Sequence, residues 1–165
     1  MIISGKAADK LVFAVLYVVF IVLIIWGGVK VINYSLDSRF YKDFLLPWEV
    51  SMKSYSVKER VLPYFSGGNH REYMDNLVKL MRACDISPPL PDTGYAYIYL
   101  MEKIGRERAR IFLLCLNNRI IIYGMHKDTF ERVDTFIDGK MNSKRGSFTG
   151  HHVKNGKTYT GLWRL

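Results

Sequence analysis

From Leu11 to Val29 the chain runs nineteen residues without a charge, LVFAVLYVVFIVLIIWGGV, bounded by Lys10 and Lys30. As a helix rising about 1.5 Å per residue, this run measures roughly 28 Å, close to the ~30 Å hydrocarbon thickness of a bilayer. It has no polar stripe that could face water, and the rest of the chain is too short to wrap it on every side. The sequence therefore predicts one transmembrane helix over residues 11–31, preceded by a short tail of residues 1–10. A cleaved signal peptide fits less well, because the apolar run exceeds the usual length and ends in WGGVKV without a small-x-small cleavage site. Lys10, Trp26 and Lys30 are the expected membrane-interface residues, and Gly27-Gly28 reads as a flexible exit.

Orientation is nearly tied by charge. Lys6 and Lys10 flank one end; Lys30, Arg39 and Lys42 flank the other. The short amino-terminal tail favours retention in the cytoplasm, which places the larger carboxyl-terminal part outside it, at a cell (inner) membrane.

Residues 32–67 mix aromatic and basic residues in short amphipathic stretches, and read as a juxtamembrane connector. Pro47 could open a helix there at its first turn. Residues 68–165 then form a single small α+β domain. Asn69 with Glu72 has the spacing of a capping box, and Tyr73, Leu77, Leu80, Met81 and Cys84 recur at helical intervals, predicting a helix over 70–85. Ser87-Pro88-Pro89-Leu90-Pro91 ends it.

Three strands follow. Residues 95–104 alternate tyrosines with aliphatic residues, and 109–116 and 119–125 are apolar runs joined by Asn117-Asn118 alone, a two-residue link suited to positive φ. Both inner strands are apolar on both faces, so the sheet should be covered on each side or meet a partner. Asp128 with Glu131 repeats the capping pattern ahead of a short helix ending at Gly139. Asn155-Gly156 then marks a carboxyl-terminal hairpin. The expected fold is thus an antiparallel sheet, made of a three-stranded meander plus a hairpin and packed by two helices. This element order, one amino-terminal span ahead of a small α+β domain, resembles that of membrane-anchored assembly subunits of bacterial secretion and pilus machines.

The formal charge is +9, and the excess is concentrated at the carboxyl-terminal end. From Gly139 onward the basic residues are Lys140, Lys144, Arg145, Lys154, Lys157 and Arg164, with no Asp or Glu. Such a region attracts an acidic partner: a protein face, lipid headgroups or nucleic acid. Lys144, Arg145, Lys154, Lys157, Trp163 and Arg164 are the candidate partner-binding residues.

Familiar chemistry is missing from the sequence. There is no GxSxG, HExxH, phosphate loop or GxGxxG. His151 and His152, if on a strand, point to opposite faces and cannot chelate one metal together. Cys84 and Cys115 fall on apolar positions without a CxxC spacing, and read as buried free thiols or, in an exported domain, one disulfide. Cys115 with His126 makes a poor nucleophile pair, because an apolar strand raises the thiol pKa. No catalytic residue, cofactor or metal is expected.

The resulting expectation is a single-pass, non-enzymatic protein-interaction subunit of a membrane-associated complex, of assembly or immunity type. Its partners are the bilayer and a protein with an acidic surface, and an oligomer is compatible with the pattern. Two other classes compete: an anionic lipid or nucleic-acid binding module using the basic region, and a membrane-bound hydrolase. Basic residues interleaved with Phe148, Tyr159 and Trp163 suit base stacking, but a membrane anchor and the ordinary sheet-core pattern weigh against nucleic acid.

Overall fold

The computed structural model describes residues 5–58, 61–153 and 158–165. The chain divides after Ser35 into two compact units. The first consists of most of helix α1 (Gly5–Arg39). This helix is long and apolar enough to cross a membrane, and residues 9–26 are exposed all around it. Lys30 Nζ lies 3.6 Å from the centroid of the Trp26 ring.

The second unit, from Leu36 onward, is α+β. Residues 32–58, expected as a connector, are helical throughout: α1 passes into a π-helical segment (Phe40–Leu45) and then α2 (Leu46–Lys58). Pro47 accounts for the irregularity. Its ring nitrogen cannot donate and its ring crowds the carbonyl four residues back, so a regular α-helix is disfavoured there. One widened turn relieves the conflict, and Leu46 N–H donates to Tyr41 O, five residues back. Pro47 thus stands in the first turn of α2, as expected, and the π-turn joins that helix to α1 without a break. Phe40, Phe44, Leu45, Trp48, Met52 and Tyr55 are all buried, so this stretch belongs to the core. Trp48 Nε1–H satisfies its buried donor on Ala96 O at 2.9 Å.

Helix α3 (His70–Ala83) lies where its periodicity predicts. Asn69 precedes it but makes no side-chain cap. Its Oδ1 accepts from Ser66 N–H at 2.9 Å and its Nδ2 donates to Tyr64 O at 3.1 Å, holding the entering loop instead. Strands β1 (Ile98–Met101), β2 (Ala109–Leu116) and β3 (Arg119–Met125) form the antiparallel meander, with β1 shorter than its alternating tyrosines suggest. Tyr95 and Tyr97 stand before it, where Tyr97 donates to Asp75 Oδ1 at 2.8 Å. Helix α4 (Lys127–Asp138) stops at Gly139, whose φ of 73° supplies the left-handed closing residue. His126, rather than Asp128, occupies its N-cap position, again without a side-chain cap.

Strands β4 (Phe148–His152) and β5 (Tyr159–Arg164) pair antiparallel, and β5 inserts beside β3 to give the order β1-β2-β3-β5-β4. The Asn155-Gly156 turn expected between them lies outside the described residues, as do Lys154 and Lys157.

The register assigns the two sheet faces. The inner face carries Ile111, Leu113, Cys115, Ile120, Ile122, Phe148 and Trp163, all buried. Helical aromatics cover it: Phe40 and Phe44 bracket Tyr99 at 4.9 and 5.1 Å, and Phe130 lies 5.2 Å from Phe148. Gly150 and Gly161 face each other across β4 and β5, where a Cβ on either would run into Phe130 or Phe148. Beyond the end of β1, Cys115 N–H is met by Met74 Sδ of α3 at 3.4 Å. Both cysteines are free thiols, and burial pushes the Cys115 thiol well above its ordinary value.

In the β2–β3 link only Asn117, at φ 27°, takes a positive φ; Asn118 does not. The strain of a β-branched side chain therefore falls on one position. Asn117→Val should lower stability by about 1 kcal/mol or more, while Asn118→Val costs less and Asn117→Gly is tolerated. Urea melts of the three variants check this ordering.

Candidate functional site

The outer face of the sheet is unevenly covered. At the β2–β3 end, the His70 ring stands edge-on to Phe112 and Tyr123, with centroids 6.3 and 6.1 Å away, and Phe65 backs His70 at 5.2 Å. Toward β5 and β4 the covering stops. A shallow groove of about 680 Å³ opens there, floored by Ile121, Tyr123, Leu162, Thr149 and Thr160 and rimmed by Ser143 and Lys144.

The charge on the strands of this face has one sign. None of the five strands contains Asp or Glu, and their three arginines, Arg110, Arg119 and Arg164, all belong to the outer face by register and are exposed. Arg119 and Arg164 stand directly opposite each other across β3 and β5. Like charges so placed are destabilising. Among the described residues no carboxylate forms an ion pair with either.

The rim is held by α4. Asp138 accepts Ser147 N–H and Phe148 N–H, each at 2.9 Å, and buried Asp134 accepts Asn142 N–H at 2.6 Å. A side chain at Gly146, whose φ is 119°, would collide with the Asp138 carboxylate. Gly150 N–H of β4 donates to Ser143 O at 3.0 Å, so the loop also blocks part of the β4 edge.

A second charged constellation lies in the interior. Lys103 Nζ sits 2.7 Å from Asp37 Oδ1 and 3.0 Å from Asp128 Oδ2, and Arg132 Nε lies 3.3 Å from Asp37 Oδ2. Asp37 and the Lys103 side chain are essentially inaccessible. Burial raises the Asp37 carboxyl above its ordinary value, against the pull of Lys103 and Arg132. Burial acts in the same sense on Asp128, but its bond to Lys103 and the charges of Lys103 and Arg106 prevail, and its carboxyl is lowered. The two carboxylates thus oppose each other in pH dependence. Asp37 contributes stability that is lost as pH rises through its raised pKa, and Asp128 contributes stability above its ordinary value that is lost on acidification. This cluster joins the end of α1, the β1–β2 turn and α4.

Of the residues singled out in the sequence, Lys144 rims the groove and Arg164 stands on the same face. Arg145 is exposed in the neighbouring loop. Trp163 points the other way: it is buried on the inner face, 6.3 Å from Tyr41, and serves the core. Alternation along β5 explains this, since neighbours on a strand point to opposite faces. Lys10, Trp26 and Lys30 are exposed on α1. Sequence reasoning missed Arg110 and Arg119, which belong to the meander; their signal was an arginine at the polar phase of each apolar strand. It also missed the Asp37–Lys103 pair, whose members are 66 positions apart.

No metal-sized cluster of His, Cys, Asp and Glu occurs among the described residues. Compared with known protein families, curated proteins and solved structures, the chain matches none.

Two outcomes follow. Lys103→Met should cost about 3–5 kcal/mol by stranding buried Asp37, and adding Asp37→Leu should recover most of that loss. Arg164→Glu, which places opposite charges across β3 and β5, should raise stability by about 0.2–1 kcal/mol. Denaturant titrations of the domain in detergent measure both.

Proposed function

We propose that the protein is a single-pass membrane-anchored, non-enzymatic interaction subunit whose outer sheet face receives a protein partner with an acidic surface. The observation that carries this reading is the half-buried aliphatic floor of Ile121 and Leu162, set in a face whose strands carry arginines and no carboxylate. Apolar surface left open beside uniform charge is the pattern of a contact surface that awaits a complementary one.

The exposed apolar helix supports the anchor. In water, residues 11–26 would present a continuous hydrophobic cylinder, whereas a bilayer removes that cost. Trp26 and Lys30 suit the interface, and the short amino-terminal tail supports reading the larger unit as outside the cytoplasm, at an inner membrane. An assembly or immunity role fits a small domain that offers a binding face.

A lipid or nucleic-acid role is the second reading, favoured by the arginines and Lys144. The Ile121–Leu162 row suits an aliphatic side chain of a protein, while Tyr123 and His151, which line the same groove, are the rings that a base would use.

The anchor is tested by replacing Leu16 and Phe20 with Arg, each worth about 2.5–3.5 kcal/mol against insertion. The double variant should become extractable by alkaline carbonate while the parent stays in the membrane pellet. A parent that extracts equally well contradicts the anchor. The binding face is tested by a photocrosslinking residue at position 162 in native membranes, with position 79 on α3 as the control. A protease-sensitive adduct from position 162 alone is expected; adducts to lipid or nucleic acid alone would reject a protein partner.

A further inference from the structure

The Arg119–Arg164 pair defines what kind of partner segment the outer face accepts. The two residues are exact cross-strand neighbours, both exposed, and no carboxylate among the described residues pairs with them. Two residues along each strand, on the same face, lie Ile121 and Leu162, themselves opposite each other and half-buried. A charged row therefore stands directly beside an aliphatic row. Same-face residues two apart are separated by roughly 6.6–6.8 Å, the same spacing that places alternate side chains on one side of an extended peptide. Lys144 stands on the groove's rim.

A guanidinium fork takes a planar carboxylate in two parallel hydrogen bonds. Repulsion between the arginines is relieved when an anion sits between them, so a bound anion stabilises the pair. The Ile121–Leu162 row accepts a branched apolar side chain and contributes nothing to a phosphate or a base. From these rows we infer that the occupant of this face is an extended acidic-apolar segment of a partner protein, with a carboxylate on Arg119 and Arg164 and a neighbouring aliphatic side chain on Ile121 and Leu162. The inference rests on the protein-interaction reading of the same face and specifies its ligand chemistry.

The test uses the full chain in uncharged detergent and fluorescein-labelled peptides of a Ser/Gly background carrying Glu-Ser-Leu-Ser-Glu at the centre. Control peptides replace both Glu by Gln, or Leu by Ser; oligothymidylate and phosphatidylglycerol vesicles serve as the other probes. The Glu/Leu peptide should bind tightest by fluorescence anisotropy. Either the Glu→Gln peptide or the Arg119→Gln/Arg164→Gln variant should weaken binding about tenfold or more, and combining the two should add little further loss. Melting temperatures of the variant should equal or exceed the parent's, which separates lost recognition from lost folding. Equal binding of the Glu and Gln peptides, unchanged binding by the arginine variant, or tighter binding of the oligonucleotide or vesicles would overturn the inference. If it is overturned while position 162 still crosslinks to protein in membranes, the interaction reading stands and only this ligand chemistry falls. If the crosslink is also missing, both fall.

Discussion

Uneven coverage of the sheet, complete on one face and partial on the other, is the constraint on which the rest of the second unit depends. Five strands present two faces, and the helical aromatics of residues 40–55 and of α4 bury only one of them. Trp48 is fully buried and its indole N–H is satisfied by a loop carbonyl, so the helix is fixed in rotation as well as in position. The same helical stretch carries Asp37 to Lys103 at its start. A buried ion pair of this kind contributes little net stability, but it penalises any alternative docking that would leave either charge alone. With the inner face committed in this way, what remains exposed on the outer face is a consequence of the fold.

The outer face then acquires its character from strand alternation. Each strand that contributes an inward isoleucine, leucine or tryptophan contributes an outward residue at the next position, and at Arg110, Arg119 and Arg164 that residue is an arginine. The loop that rims the groove is tied to α4 by Asp134 and Asp138, whose carboxylates are spent on backbone N–H groups. Acidic side chains close to the groove are therefore occupied structurally, and the basic character of the face is left uncompensated. On the proposed reading, stability and recognition pull in opposite directions at the Arg119–Arg164 pair, a conflict typical of binding surfaces.

Much of this was legible in the sequence because the signals were local. The limits of β2 and β3, the helix over 70–83 and the left-handed Gly139 follow from periodicity, a two-residue link and glycine chemistry. The helix that opens at Pro47 was legible from proline chemistry, whereas its continuity with α1 through a π-turn and the burial of Phe40, Phe44 and Leu45 were not. The two capping boxes failed for a related reason. Asn69 and Asp128 have the right spacing, but loop amides and Lys103 compete for their side chains. Within the candidate site, Lys144 and Arg164 were visible as part of a basic run, whereas assigning Trp163 to that surface required the face of β5, which charge counting does not reveal. Arg119 was hidden because its partner lies 45 residues away in sequence and the pairing of β3 with β5 is nonlocal.

The central claim is that the outer face is open in the isolated protein and covered in its native setting. Maleimide labelling of single cysteines at positions 120 and 162, in a chain with Cys84 and Cys115 replaced, measures this directly. Neighbouring rows of one sheet are compared, so folding and labelling chemistry are matched. Position 162 should label rapidly in purified detergent-solubilised protein and slowly in native membranes, while position 120, on the inner face, is protected in both. Equal labelling of position 162 in the two settings, or its protection in the isolated protein, would contradict it.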